Sequence, residues 1–145
     1  METLLFVDTE TTGLAEDVSL PPSNTENWPR LVEIAWRMYT RSGEELSKTS
    51  SLIRPDGFEI PKSATEIHGI TTEEAREDGK ALRDVLAGFE RKLKEADWLV
   101  AHNASFDRGV LLSEYHRAGA KSSLKDLPSL CTMEQSEGFV GGTKK

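Results

Sequence analysis

The stretch "FVDTETTGL", Phe6 to Leu14, decides how the rest of the chain is read. Four apolar residues, Leu4 to Val7, run without a break, as expected of a central strand covered on both faces. The run stops at Asp8, and Glu10 follows two positions later. Alternate residues of a strand project from the same face, so the two carboxylates aim at one point if the strand continues through Glu10. Like charges that close repel, and unless one is protonated they call for a counter-charge. Oxygen-only ligation suits a hard cation, magnesium or manganese, and Gly13 lets the backbone turn close to a ligand. More simply, Asp8 and Glu10 mark where a buried strand meets water, and for an isolated D-x-E that is the stronger explanation. A calcium loop is excluded. "DTETTG" has acids first and third and glycine sixth, but Ser19 stands twelfth and the preceding segment reads as strand rather than helix.

Outward from this stretch, the chain reads as a single domain, residues 1–145. It has 37% hydrophobic and 30% charged residues, enough apolar material for one core but not two. No apolar run approaches the ~20 residues needed to span a membrane. No basic segment followed by a long apolar stretch opens the chain. Cys131 is the only cysteine, which excludes an internal disulfide and fits a reducing cytoplasm. A net charge of −7 excludes a protein that coats duplex nucleic acid by charge alone. Nucleic acid would have to be held in a local groove, with cations between its phosphates and the protein's acids.

Residues 15–30 hold three prolines and many turn formers and read as a long surface loop. In "LVEIAWRMY", Val32, Ile34, Trp36 and Met38 alternate with Glu33, Ala35, Arg37 and Tyr39, which predicts a strand with one apolar face. "RSGE" makes a turn into a polar edge strand ending near Arg54. Short helices follow in "PKSATEIHGI", started by Pro61 and stopped near Gly69, and in "TTEEAREDG". Leu82, Val85, Leu86, Phe89 and Leu93 form the stripe of an amphipathic helix over about 80–96. "WLVAHN" returns to strand, "ASFDRGVLLSEYHRAG" is helical with Phe106, Val110 and Leu111 facing inward, and "LPSLCTM" is a last short strand. Trp28, Trp36 and Trp98 read as packing residues. Strands followed by alternating strand and helix predict an α/β fold on a mixed sheet.

The second constellation is "VAHNASFDRGVL", Val100 to Leu111. A strand ends at His102–Asn103, and Asp107 falls in the opening turns of the next helix. It can face Asp8 and Glu10 across a cleft at the carboxyl ends of the strands, where α/β sheets place ligands. Alone, Asp107 would be only a favourable charge near a helix N-terminus.

Together, "FVDTETTGL", "AHNASFD" and "IHGIT" (Ile67 to Thr71), in this order and spacing, resemble the DEDD superfamily of 3′–5′ exonucleases. The branch they are most similar to contains the proofreading epsilon subunit of bacterial DNA polymerase III. The resemblance implies a ribonuclease H-like fold with a five-stranded mixed sheet flanked by helices. It implies two magnesium or manganese ions held by Asp8, Glu10 and Asp107, which would also be the catalytic residues. It implies contacts to a single-stranded DNA or RNA 3′ end from Thr11, Thr12, Leu14, His68, Asn103 and Phe106, with a DNA polymerase as a partner. His102 would support the site.

The family's third motif, a histidine and an aspartate on a C-terminal helix, has no counterpart. His68 and His102 belong to the earlier stretches. His116 lies nine residues after Asp107 on one helix, which turns it roughly 180° away at ~100° per residue. The C-terminal helices of the family are therefore expected to be missing, the domain truncated before that motif, and one sheet face left as an apolar patch. Without the general base a rate loss of about 10²–10⁴-fold is expected, leaving little or no exonuclease activity. The alternatives are a non-catalytic nucleic-acid or polymerase-binding module of the same fold, and an exoribonuclease.

Overall fold

The computed structural model describes residues 2–133. Five strands form one sheet: β1 (Thr3–Thr11), β2 (Leu31–Thr40), β3 (Glu45–Leu52), β4 (Trp98–Ala101) and β5 (Ser129–Cys131). Their order is β3-β2-β1-β4-β5. The first three strands meander antiparallel, whereas β4 and β5 run parallel to β1. The carboxyl ends of β1, β4 and β5 therefore share one edge of the sheet. The helices are α1 (Lys62–His68), α2 (Thr72–Asp78), α3 (Leu82–Glu95) and α4 (Ala104–Ala118).

The boundaries follow local chemistry. Pro61, which cannot donate a backbone hydrogen bond, precedes α1, and Gly69 ends it at φ 80°, where a side chain would be strained. Thr71 caps α2 by accepting a hydrogen bond from the Glu74 N–H at 3.1 Å. The stripe of α3 buries Val85, Leu86, Phe89 and Leu93. With Val110, Leu111 and Tyr115 of α4, these residues pack on Leu5, Val7, Ile34, Trp36 and Met38 of the sheet. A smaller cluster of Val32, Ile60, Ala64, Ile70 and Ala75 holds α1 and α2 beside the start of β2. Trp28 and Trp36 are buried, as packing residues should be.

One expectation is corrected. Among the described residues, the run Leu4–Val7 is not covered on both faces. Leu5 and Val7 are buried, but Phe6 is 37% exposed and meets Tyr39 edge-on, at 5.5 Å between ring centroids. The core helices lie on one side of β1, and among the described residues nothing comparable packs on the other. A continuous apolar run does not distinguish one covered face from two. A trough of about 860 Å³ along this bare face is lined by Phe6, Ala35 and Val100 and also by Arg37, Lys48 and Ser50, with more of its lining apolar than polar.

Candidate active site

Strand β1 runs on to Thr11 and so carries both acids into regular structure. Asp8 pairs with Ala35 and Glu10 with Glu33. Both project toward the bare face, and Asp8 closes one end of the trough, where His102 and Thr132 also lie. Thr9, between them, points the other way. Its hydroxyl donates to Asp107 Oδ1 at 2.6 Å. β4 stops at Ala101, so α4 starts beside the edge, and its first turn holds Asp107 against β1.

The three carboxylates lie within electrostatic reach of one another. Asp107 is 7% exposed. Burial pushes its carboxyl up to about 6; the Thr9 hydroxyl pulls it down, Asp8 raises it again, the Asn103 backbone lowers it, and Glu10 raises it. Glu10 is also raised, first by burial, then by Asp8, with His68 opposing and Glu33 adding. Burial and neighbouring acids thus disfavour the ionised forms of Asp107 and Glu10, the situation a hard cation relieves. Their donor chemistry, all oxygen and all anionic, fits such an ion. Among the described residues, however, no three potential ligands stand close enough to hold a metal as they are. Asp107 is turned to Thr9 rather than outward.

The expected substrate residues lie on the turn out of β1, at the end of α1 and at the start of α4. The Thr11 hydroxyl donates to the Gly13 carbonyl at 2.6 Å, shaping the turn out of β1. Thr12 is held at both ends. Its N–H donates to the Arg30 carbonyl, and its hydroxyl oxygen accepts from the Arg30 N–H, each at 3.0 Å. Leu14 is 84% exposed beyond them. Gly13 has no positive φ, and open space surrounds the position a Cβ would take, so the protein's own packing does not require glycine there.

The His68 ring lies against the end of β1. Its Nδ1 accepts from the Ile70 N–H at 3.1 Å, which leaves the proton on Nε2 to meet the Thr11 carbonyl at 3.2 Å. Asn103 is exposed at the start of α4. Phe106 is half-buried beside Trp28, with ring centroids 6.4 Å apart, and packs against the core. The His102 ring meets Thr132 at 3.1 Å.

Three residues escaped the sequence reading: Thr9, Arg30 and Glu114. Glu114 is fully buried in α4. Its carboxylate accepts from the Leu31 N–H at 2.7 Å and Arg30 Nε at 3.1 Å, and it pairs with Arg117 at 3.2 Å. Because Arg30 holds Thr12, this buried acid ties the site loop to the helix that carries Asp107. Glu114 follows Val110 and Leu111 by four and three positions, so helical spacing could have placed it on the inner face. On the same helix, a Cβ at Gly109 would lie 2.2 Å from the Trp28 ring, which shows how closely the loop is seated.

A mixed five-stranded sheet with acids gathered at the carboxyl ends of its parallel strands defines a ribonuclease H-like nuclease architecture. The family model described as RNase T, exonuclease, matches residues 5–141, and the chain belongs to that exonuclease family. It is 29% identical over 130 residues to the DNA polymerase III epsilon subunit of Buchnera aphidicola, covering 90% of this chain and 52% of that protein. It is 34% identical over 117 residues to the PolC-type DNA polymerase III of Lactococcus lactis, covering 81% of this chain and 6% of the relative. The chain thus spans about half of the first relative's length and a small part of the second's. In fold it is similar to E. coli Exonuclease I in complex with a dT13 oligonucleotide, at TM-score 0.81 and 18% identity, over 100% of this chain and 31% of that one. Another matched structure is the zinc-bound form of the E. coli ExoI–ssDNA complex, at TM-score 0.80, 19% identity and 97% coverage of this chain, 30% of the other. Among the described residues no helix is long and apolar enough to cross a membrane.

Proposed function

We propose that this chain is a 3′–5′ exonuclease domain acting on single-stranded 3′ ends, with Asp8, Glu10 and Asp107 as ligands for magnesium or manganese. The observation that carries this is geometric: Asp8 and Glu10 stand at the end of β1, and Asp107, in the first turn of α4, is held against the same strand by the Thr9 hydroxyl at 2.6 Å. Bound divalent cations would supply an activated water and a counter-charge for the leaving oxygen. The chain's own residues do the positioning. Thr11 and Thr12, fixed by Gly13 and Arg30, would receive the terminal 3′-hydroxyl. Leu14 would lie against the last base, and Phe106 and Asn103 beside the preceding nucleotide. His68, its Nδ1 already occupied, orients the Thr11 carbonyl rather than taking a proton.

Neither a histidine nor an aspartate occurs in residues 134–145. A general base of the third-motif kind is therefore not supplied by these residues, and hydrolysis is expected to be about 10²–10⁴-fold slower than with one. The ligand set, not assembled among the described residues, favours a second reading: a binding module that retains the fold without the chemistry.

Anisotropy with a labelled single-stranded oligonucleotide tests the proposal. Binding should be tighter in manganese than in EDTA, and Asp8→Ala should remove the difference. Prolonged incubation with excess protein should give a slow, cation-dependent ladder from the 3′ end. Binding that ignores both manganese and Asp8→Ala, with the strand left intact, would support the module instead.

A further inference from the structure

Away from the three acids, a cavity of about 540 Å³ is lined by Arg30, Arg54, Arg83 and Arg117, together with Asp56 and the first turn of α3. Four arginines line one cavity in a chain whose net charge is −7. Arg30 and Arg117 share a single carboxylate, that of Glu114, which lies fully buried behind them. Counting Glu114 and Asp56 against the four arginines leaves an excess of two positive charges.

The two inner arginines are held rigidly. The Arg30 guanidinium carbon lies over the Phe58 ring, 4.4 Å from its centroid. Arg117 donates to the carbonyls of Thr25 and Trp28. The two outer ones are available: Arg54 makes one 3.3 Å bond to the Gly79 carbonyl, and Arg83 is exposed with no carboxylate partner among the described residues. Planar guanidinium groups with donors to spare, as on Arg54 and Arg83, are suited to phosphate oxygens.

The cavity is linked to the site through the backbone. Arg30, in its wall, is the residue that grips Thr12 at both ends. Arg117 stands ten residues along α4 from Asp107, about 15 Å of helix. That is a span of a few nucleotides of single strand.

We infer that this arginine cavity is a phosphate subsite for the backbone of the single strand upstream of the 3′ end held at Thr11 and Thr12. The inference rests on the nuclease reading above and extends it to substrate length. Arg54 and Arg83 supply the contacts, and Glu114 keeps Arg30 and Arg117 in place beneath them.

The test compares the wild-type chain with an Arg54→Ala/Arg83→Ala double variant, both exposed positions, by anisotropy in manganese with a thymidine trinucleotide and a dodecanucleotide. An Arg91→Ala/Lys94→Ala variant, at the far end of α3, controls for net charge. The dodecanucleotide should bind the double variant roughly five- to tenfold more weakly. Its salt dependence should fall by about 1.4, at ~0.7 per lost phosphate contact. The trinucleotide, and the control variant with either strand, should behave as wild type. Equal dodecanucleotide affinity in wild type and double variant would overturn the subsite while leaving the nuclease reading standing. A wild-type chain that binds neither strand would overturn both. In a calorimetric arm with thymidine monophosphate, binding lost in the double variant while the dodecanucleotide is unaffected would assign the cavity to free mononucleotide and overturn the backbone assignment.

Discussion

Helix α4 carries two buried carboxylates, Asp107 and Glu114, and the fold treats them oppositely. Glu114 is surrounded by donors: the Leu31 N–H and two guanidinium groups. Its charge is answered from within the chain, and it works as a tie between α4 and the loop leading into β2. Asp107 has the Thr9 hydroxyl as its side-chain donor and two further acids as neighbours. Burying a charge without a partner is costly. One helix thus holds a carboxylate the fold has neutralised and one it has not, and under the proposed function the second is the metal ligand. The contrast separates the two acids more clearly than burial, which they share.

The contrast can be broken by removing each side chain in turn. Glu114→Ala should cost the most, about 3–5 kcal/mol, because it strands Arg30, Arg117 and the Leu31 N–H together. Urea unfolding measures it, and a loss under 1 kcal/mol would mean the tie is incidental. Asp107→Asn should do the opposite and stabilise the metal-free chain. Asp107 titrates near 6 when folded and near 3.8 otherwise. Between those values the native state holds more protons, so stability falls as pH rises through that window and stays lower above it. Asparagine removes that loss. A gain of about 1–3 kcal/mol at pH 7.5 should vanish below about pH 4. A destabilised variant at pH 7.5 would place Asp107 with Glu114 instead.

The smallest effect is expected at Glu90, a half-buried acid that resembles Glu114 in kind. Burial raises its carboxyl, but hydrogen bonds from Ser123, Tyr115 and Ser122 outweigh this and hold it below its ordinary range. Its contribution is present above that range and lost as pH falls through the depressed value. Glu90→Gln should cost about 1 kcal/mol at neutral pH, and less in acid, when followed by thermal melting.

Much of this was legible in the sequence. The alternation in Leu31–Tyr39, the α3 stripe, and the glycine and threonine signals around α1 and α2 fixed those elements to within a residue or two. The acids were legible because spacing of two in a strand and a helix start after "AHN" are local patterns. What was hidden was non-local. That Phe6 is bare depends on which elements cover the sheet, which an apolar run does not record. Thr9 gained its role only because β1 and α4, far apart in sequence, meet at Asp107. Glu114 looked like an ordinary helix acid until Arg30, 84 residues earlier, was seen against it.

The central claim is that Asp8, Glu10 and Asp107 are left unneutralised for a divalent cation. Manganese titration by calorimetry tests it most directly, on the wild-type chain, Asp8→Ala and Glu114→Gln. At least one ion should bind the wild type, none should bind Asp8→Ala, and Glu114→Gln should bind as wild type does. Binding that survives Asp8→Ala, or a wild-type chain that takes up no manganese, would contradict the account.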